Sequence, residues 1–293
     1  MGHEELDRAR KLLRAADAVI IAASNGFDIA DGYNQFACDA TFLRVFGDFH
    51  ERYGLTSILQ GLMARWPSEG ARRAFLARLY DYGYRAYEPS PVMRALDALT
   101  AGRPRFVVTC NCNGRFERAG FPSEALLETE GSYARLRCSA GCTAETWPTG
   151  SAGALDAEPA PRCPRCGAVL DVAVGSPRDI LRFEPFRGQA ERLQAFLDAH
   201  ASARTVVLEL GVGQGNRDIK RPLMAWAEQA PQAGYVVVNR DEPVLPALPA
   251  VRVAGVRGDL GEVLCTWEDD AAIGSGSMRA GAASPHARTE KRP

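Results

Sequence analysis

Two cysteine pairs, Cys138 with Cys142 and Cys163 with Cys166, have the residue type and spacing of a metal site. Short turns bring the two sulfurs of each pair onto one ion, and 20 residues separate the pairs, as expected for tetrahedral zinc. Gly141, Pro164 and Gly167 suit such turns. With all four positions taken by thiolates, no position is open to a substrate, so the zinc is expected to be structural. The basic residues nearby (Arg135, Arg137, Arg162, Arg165) are too few to make this a nucleic-acid-binding ribbon.

A second candidate is "TVVLELGVGQGNRD", residues 205–218. A run of β-formers carrying Glu209 passes into Gly211-Val212-Gly213-Gln214-Gly215, as a strand enters a nucleotide-binding turn. A methyltransferase places this turn early, with most of its sheet still to come. Here only about 55 ordered residues follow Gly215, room for one or two strands. The turn is therefore read as a late loop in a dinucleotide-binding sheet.

The elements that would position these residues alternate. An amphipathic helix over residues 4–16 leads into the apolar strand Ala18-Val19-Ile20-Ile21-Ala22, which breaks at a turn, Ser24-Asn25-Gly26. Residues 37–88 are aromatic-rich and helical, without strand signal. Then come a helix ("VMRALDALTAG"), a strand ("RFVVT"), a loop ("CNCNG"), a short helix ("RFERAG") and a strand ("ALLET"). Residues 133–174, with the four cysteines, read as a separate module. Beyond them "DILRF" reads as a strand and "GQAERLQAFLDAH" as a helix, followed by the 205–210 strand. A helix ("DIKRPLMAWAEQA"), a strand ("GYVVVN") and a closing helix ("GDLGEVLCTWEDD") complete the pattern. The expected fold is α/β, a Rossmann-like doubly wound parallel sheet over residues 1–270, with a helical insertion and a small zinc ribbon. The small, polar and basic segment from Ala271 is expected to be a disordered tail.

With 293 residues, 46% hydrophobic, the chain can bury a substantial core. A net charge of −1 gives no reason to expect nucleic acid or an anionic membrane as partner. No apolar run approaches the ~20 residues that span a bilayer, and the N-terminus lacks the apolar stretch of a signal peptide. Eight cysteines without an export signal fit a reducing compartment, so a soluble cytoplasmic protein is expected.

Read in order, the loops resemble those of the sirtuins, the NAD-consuming deacylases and ADP-ribosyltransferases, and in particular the microbial macrodomain-linked class. Ala22-Ala23-Ser24-Asn25-Gly26-Phe27 stands at the Gly-Ala-Gly loop, and Gly32 at that segment's second glycine. Thr109-Cys110-Asn111-Cys112-Asn113 stands at the Thr-x-Asn-x-Asp loop beside the nicotinamide, and "ETEGS", residues 128–132, at Glu-x-His-Gly-Ser. The cysteine pairs follow at once. Gly211-Val212-Gly213 takes the Gly-Thr-Ser place and Val238-Asn239-Arg240 the Ile-Asn place. Gly258-Asp259 through Leu264 stands at the end of the adenine pocket.

The resemblance implies NAD as co-substrate, a structural zinc and a protein acceptor. Asn111, Asn113 and Glu130 would surround the nicotinamide ribose, where a carboxylate can accept a proton or stabilise a ribosyl cation. The chain departs from the pattern in three places. Asn113 replaces an aspartate, Glu130 replaces the deacylase histidine, and Ala22 and Ser24 stand at glycine positions. These departures favour ADP-ribosyl transfer or NAD hydrolysis over deacylation. A non-catalytic protein that binds a nucleotide or a partner is the reading from another class. Cys110 and Cys112 have no basic neighbour in sequence and are read as packing residues rather than nucleophiles. His50 is read as a helix residue rather than a catalyst.

Overall fold

A computed structural model describes residues 3–150 and 155–267, so the tail expected from Ala271 lies outside the described residues. The chain opens with α1 (His3–Ala15), β1 (Ala18–Ala23) and α2 (Asn25–Ala30). The helices α3 (Ala40–Tyr53), α4 (Ile58–Met63) and α5 (Glu69–Tyr80) follow, the last running into a π-turn over Asp81–Arg85. Next come α6 (Pro91–Thr100), β2 (Arg105–Thr109), α7 (Arg115–Arg118) and β3 (Leu126–Glu128). The strands β4 (Gly131–Cys138), β5 (Thr146–Pro148) and β6 (Leu170–Val174) carry the cysteines. The remainder is α8 (Pro177–Ile180), α9 (Phe186–Ala199), β7 (Thr205–Leu210), α10 (Lys220–Gln229), β8 (Gly234–Asn239), β9 (Val253–Arg257) and a helical stretch over 260–267. None of these helices is long and apolar enough to cross a membrane.

Six strands form one parallel sheet in the order β3-β2-β1-β7-β8-β9. Successive side chains of a strand point to opposite faces. In β1, Val19, Ile21 and Ala23 enter the core beside α1 and α6, while Ile20 and Ala22 enter the core beside α9 and α10. Burial on both faces explains why β1 reads as a continuous apolar run rather than an alternating one. From β1 the chain builds outward first through β2 and β3, then from β7 to β9 on the other side. The strand order therefore reverses between β1 and β7, where a crevice opens at the carboxyl ends of the strands.

The helices of residues 40–85 and the cysteine-bearing sheet β5-β4-β6 share a third core. Phe46, Phe49 and Phe75 meet ring to ring, and Tyr133, Leu136, Leu170 and Val172 join the same cluster. The short strands of the cysteine segment close their apolar face against the aromatic helices. A buried ion pair ties this region to the main sheet. Arg115 donates to Asp31 at 2.8 Å with side chains 5% and 0% exposed. Tyr87 and Ser90 also donate to the Asp31 carboxylate, and the guanidinium lies over the rings of Tyr33 and Tyr87.

Two local expectations are corrected. "DILRF" is not a strand. Pro177 at the first helical position and Ser176, whose hydroxyl accepts from the Asp179 amide, cap the short helix α8 instead. Ser24-Asn25-Gly26 is more than a turn, since α2 begins at Asn25. The strand β9 completes the sheet where the sequence showed only Val253-Ala-Gly-Val-Arg257, a run too short to stand out.

Candidate active site at the sheet switch point

The loops after β1 and β7 meet backbone to backbone. The Gly26 amide donates to the Gly211 carbonyl at 3.1 Å. A Cβ on Gly26 would lie 2.6 Å from the Gly211 Cα, and one on Gly211 2.5 Å from the Gly26 Cα. Gly211 also has φ +60°, a conformation side chains rarely adopt. Both glycines are required for this contact.

A cavity opens on either side of it. One, of about 390 Å³, is lined by Gly26, Gly211, Asn239, Arg240, Asp259 and Leu260 among others. The other, of about 410 Å³, is lined by Ser24, Asn25, Asn111, Asn113 and Glu130, together with Asp28, Tyr33 and the two cysteines Cys110 and Cys112. Residues from six separate segments thus converge, in the loop order read from the sequence.

Seven of the expected cofactor-binding residues lie outside both cavities. Ala22 and Ala23 are strand residues, fully buried in the two cores. The Phe27 ring stacks on Phe116. The Gly32 carbonyl accepts from the Tyr82 hydroxyl. Val212 is buried, its carbonyl accepting from Asn239, while Gly213 is exposed. Leu264 is sealed in the core one turn beyond Leu260, which takes the lining position instead. The Glu209 carboxylate on β7 is buried against Lys220 and Tyr235.

In the second cavity each polar side chain has a defined setting. Asn111 donates through Nδ2 to the Ser24 carbonyl at 3.2 Å, joining the β2 loop to the β1 loop. Its Oδ1 is buried without a partner. Asn113 accepts from the Arg115 amide through Oδ1 and donates through Nδ2 to Asp28 Oδ2 at 2.8 Å. It therefore supports the start of α7 and lines the site at once. Asp28, a carboxylate from α2, lines the same cavity. Burial pushes the Asp28 carboxyl up to about 7, against the downward pull of the Asn113 hydrogen bond and the Arg115 charge.

Glu130 is held by its backbone. Its carbonyl accepts from the Gly175 amide, and the next residue, Gly131, turns the chain into β4 at φ +86°. A Cβ there would lie 1.9 Å from the Ala173 carbonyl oxygen. The Glu130 side chain is half-buried, and burial, with the Asp218 charge, raises its pKa. Burial also pushes the Cys110 thiol up to about 11, although the Ser24 hydroxyl 3.0 Å away opposes this. Cys112 is raised further by burial and by the Glu130 charge, so neither is a thiolate nucleophile. No histidine lines the cavity, and the His50 ring instead contacts the Leu55 carbonyl at the end of α3. Asp28, Tyr33, Gln35, Tyr133 and Asn216 are polar lining residues that sequence reasoning missed. For Asp28, the signal available was two carboxylates three residues apart in "NGFDIAD", just after the first loop.

The four cysteine sulfurs lie within 4.8 Å of one another. Cys138 to Cys166 is 3.5 Å and Cys142 to Cys163 is 3.6 Å. Zinc–sulfur bonds of about 2.3 Å place tetrahedral sulfurs about 3.8 Å apart, so the cluster fits zinc. Cys138 and Cys163 belong to the third core, Cys142 and Cys166 are exposed, and none of the four lines the cavity beside Glu130.

The fold is that of the Sir2 homologues, and the curated relatives are divergent in sequence. The chain superposes on a Sir2 homologue solved in complex with NAD with a TM-score of 0.60, at 16% identity over 94% of this chain and 95% of that one. A Sir2 enzyme bound to a myristoylated histone peptide gives 0.55, at 18% identity over 94% and 99%. At these identities the likeness is one of fold. No family model matches the sequence. A protein ADP-ribosyltransferase of Staphylococcus aureus is 24% identical over 273 residues, 88% of this chain and 85% of that protein. A probable bifunctional ADP-ribose hydrolase/ADP-ribosyltransferase of Fusarium oxysporum f. sp. cubense is 27% identical over 234 residues, 74% of this chain but 39% of that longer protein.

Proposed function

We propose that the protein cleaves NAD between nicotinamide and ribose and transfers ADP-ribose to a protein side chain, with water as the competing acceptor. The observation that carries this reading is Glu130 in the cavity beside Asn111 and Asn113, on the far side of the Gly26–Gly211 contact from the Asn239–Arg240 cavity. A dinucleotide laid across that contact would put its adenosine half toward Asn239, Arg240 and Leu260. Its nicotinamide half would reach Asn111, Asn113 and Glu130. The buried, unpartnered Oδ1 of Asn111 is a group such a ligand would satisfy.

NAD supplies a glycosidic bond whose cleavage moves positive charge from the ring onto the ribose. A half-buried carboxylate at Glu130 stabilises that charge without reorganising solvent. Its raised pKa also makes it a stronger base toward the incoming acceptor. Both relatives carry ADP-ribosyltransferase in their names, and neither is called a deacylase. With Glu130 where a deacylase has histidine, transfer is favoured over deacylation.

The test is NAD titration of the zinc-loaded protein followed by measurement of released nicotinamide. Release is expected, falling about 10²–10⁴-fold in Glu130→Ala with NAD binding retained. NAD binding without release would show a nucleotide-binding protein. Release unchanged in Glu130→Ala would remove Glu130 from the chemistry.

A further inference from the structure

Resting on the NAD-cleaving reading, we propose that Glu209, Lys220 and Tyr235 are positioning residues for the turn that follows β7. They form a buried charged anchor that holds residues 211–219 in one conformation along the path of the dinucleotide. The turn reaches both cavities, Gly211 lining the Arg240 side and Asn216 the Glu130 side. Packing does not hold its middle, since a Cβ on Gly213 or Gly215 would meet nothing within 4 Å. Gln214 makes one exposed bond, to the Glu242 carbonyl. The two ends carry the rest. At the start, Gly211 meets Gly26, and Asn239 donates to the Val212 carbonyl at 3.0 Å. At the far end Asn216 Oδ1 accepts from the Asp218 and Ile219 amides at 3.1 and 2.8 Å, so its side chain is set by the residues that lead into α10.

Lys220 is the first residue of α10, and its side chain is 3% exposed. Its ammonium donates to Glu209 Oε1, while the Tyr235 hydroxyl donates to Oε2 at 2.7 Å. Both oxygens of a fully buried carboxylate are thus engaged, one from α10 and one from β8. An ion pair stripped of water adds little stability over apolar residues of the same volume. Val212 and Ile219 already bury the ends of the turn in the core that holds Tyr235, so apolar residues at 209 and 220 would close it equally well. What the charges add is direction. Any other placement of α10 on β7 leaves two buried charges unpaired, which is strongly unfavourable. Neither Glu209 nor Lys220 lines either cavity, so the network acts through the turn and not on the ligand. A turn fixed in advance need not be ordered on binding, and the anchor should therefore show in NAD affinity rather than in the chemical step.

The experiment uses the full, zinc-loaded chain and two variants. Glu209→Gln/Lys220→Met removes both charges at nearly constant volume and leaves neither unpaired. Tyr235→Phe removes only the hydroxyl. Nicotinamide release gives kcat and KM for NAD, and hydrogen exchange without ligand gives the protection of the Asp218 and Ile219 amides. In the paired variant KM is expected to rise at least about tenfold with kcat within about threefold. Exchange at the two amides should quicken at least about tenfold, with protection of the sheet strands kept. Tyr235→Phe should raise KM about threefold in the same way. Unchanged KM in both variants, or a fall in kcat at unchanged KM, overturns the anchor while the functional reading stands. Loss of protection throughout the sheet would assign the network to general stability and overturn it too. Should the paired variant not fold, Tyr235→Phe decides by the same criteria. If the unaltered protein binds NAD without releasing nicotinamide, the cleavage reading fails and the Kd for NAD judges the anchor in place of KM. If it binds no NAD, both fail together.

Discussion

A carboxylate buried at a binding site costs the fold stability, and Asp28 allows that cost to be measured. Its side-chain pKa rises from 3.8 to about 7, chiefly through burial. At low pH the group is protonated in both folded and unfolded chains and carries no penalty. Between pH 4 and 7 the folded chain keeps a proton that the unfolded chain has released, so stability falls as pH rises through this window. The slope is about 1.4 kcal/mol per pH unit, and the shift of roughly three units makes the full loss about 4 kcal/mol above pH 7. Asp28→Asn is isosteric, keeps an oxygen to accept from Asn113 and does not titrate. The variant should therefore exceed the unaltered protein by no more than about 1 kcal/mol near pH 4.5 and by several kcal/mol at pH 8. The comparison is made by urea denaturation across that range. Glu128, which burial pushes up to about 8, adds a fall in the same direction to both proteins and cancels in the difference. Arg115, Asp31 and Asn113, the other charged or hydrogen-bonding groups acting on Asp28, are common to both. A difference that does not change with pH, or a variant less stable throughout, would refute the buried-carboxylate account.

Three further outcomes are expected. Gly211→Ala forces a Cβ onto the Gly26 backbone at a positive φ. It should part the β1 and β7 loops and weaken NAD at least about tenfold by calorimetry, with circular dichroism little changed. Arg115→Met leaves Asp31 buried without its counter-charge and should cost about 3–5 kcal/mol in denaturant unfolding, a loss below about 1 kcal/mol contradicting this. Removing zinc with a chelator, or Cys163→Ser, should loosen the aromatic helices as well as the cysteine strands, because they share one core. The readout is the emission of Trp66 and Trp147, both packed on that core, together with metal content by atomic absorption, one zinc per chain being expected.

What the sequence determined by itself is local in kind. The two cysteine pairs announced their cluster because metal-ligand spacing is a property of short turns. The unbroken apolar run of β1 and the alternation of strands with helices announced a parallel sheet, since a strand covered on both faces has no polar side to alternate. The order of the loops was enough to bring Asn111, Asn113 and Glu130 into one cavity and Gly26, Asn239 and Arg240 into the other. Tertiary structure decided which atoms of those loops are free to act. Ala22, Ala23 and Leu264 belong to the right segments, but their side chains face the cores, a matter of register and helix rotation. The glycines at 26 and 211 serve first to let two backbones touch, a contact between residues 185 positions apart. Asn113 donates to Asp28, a carboxylate from α2, and only the packing of α2 against α7 puts the two side chains within hydrogen-bond distance. Such pairings escape sequence reading because a site needs a charge at a point in space, and the fold can deliver it from any segment that reaches there.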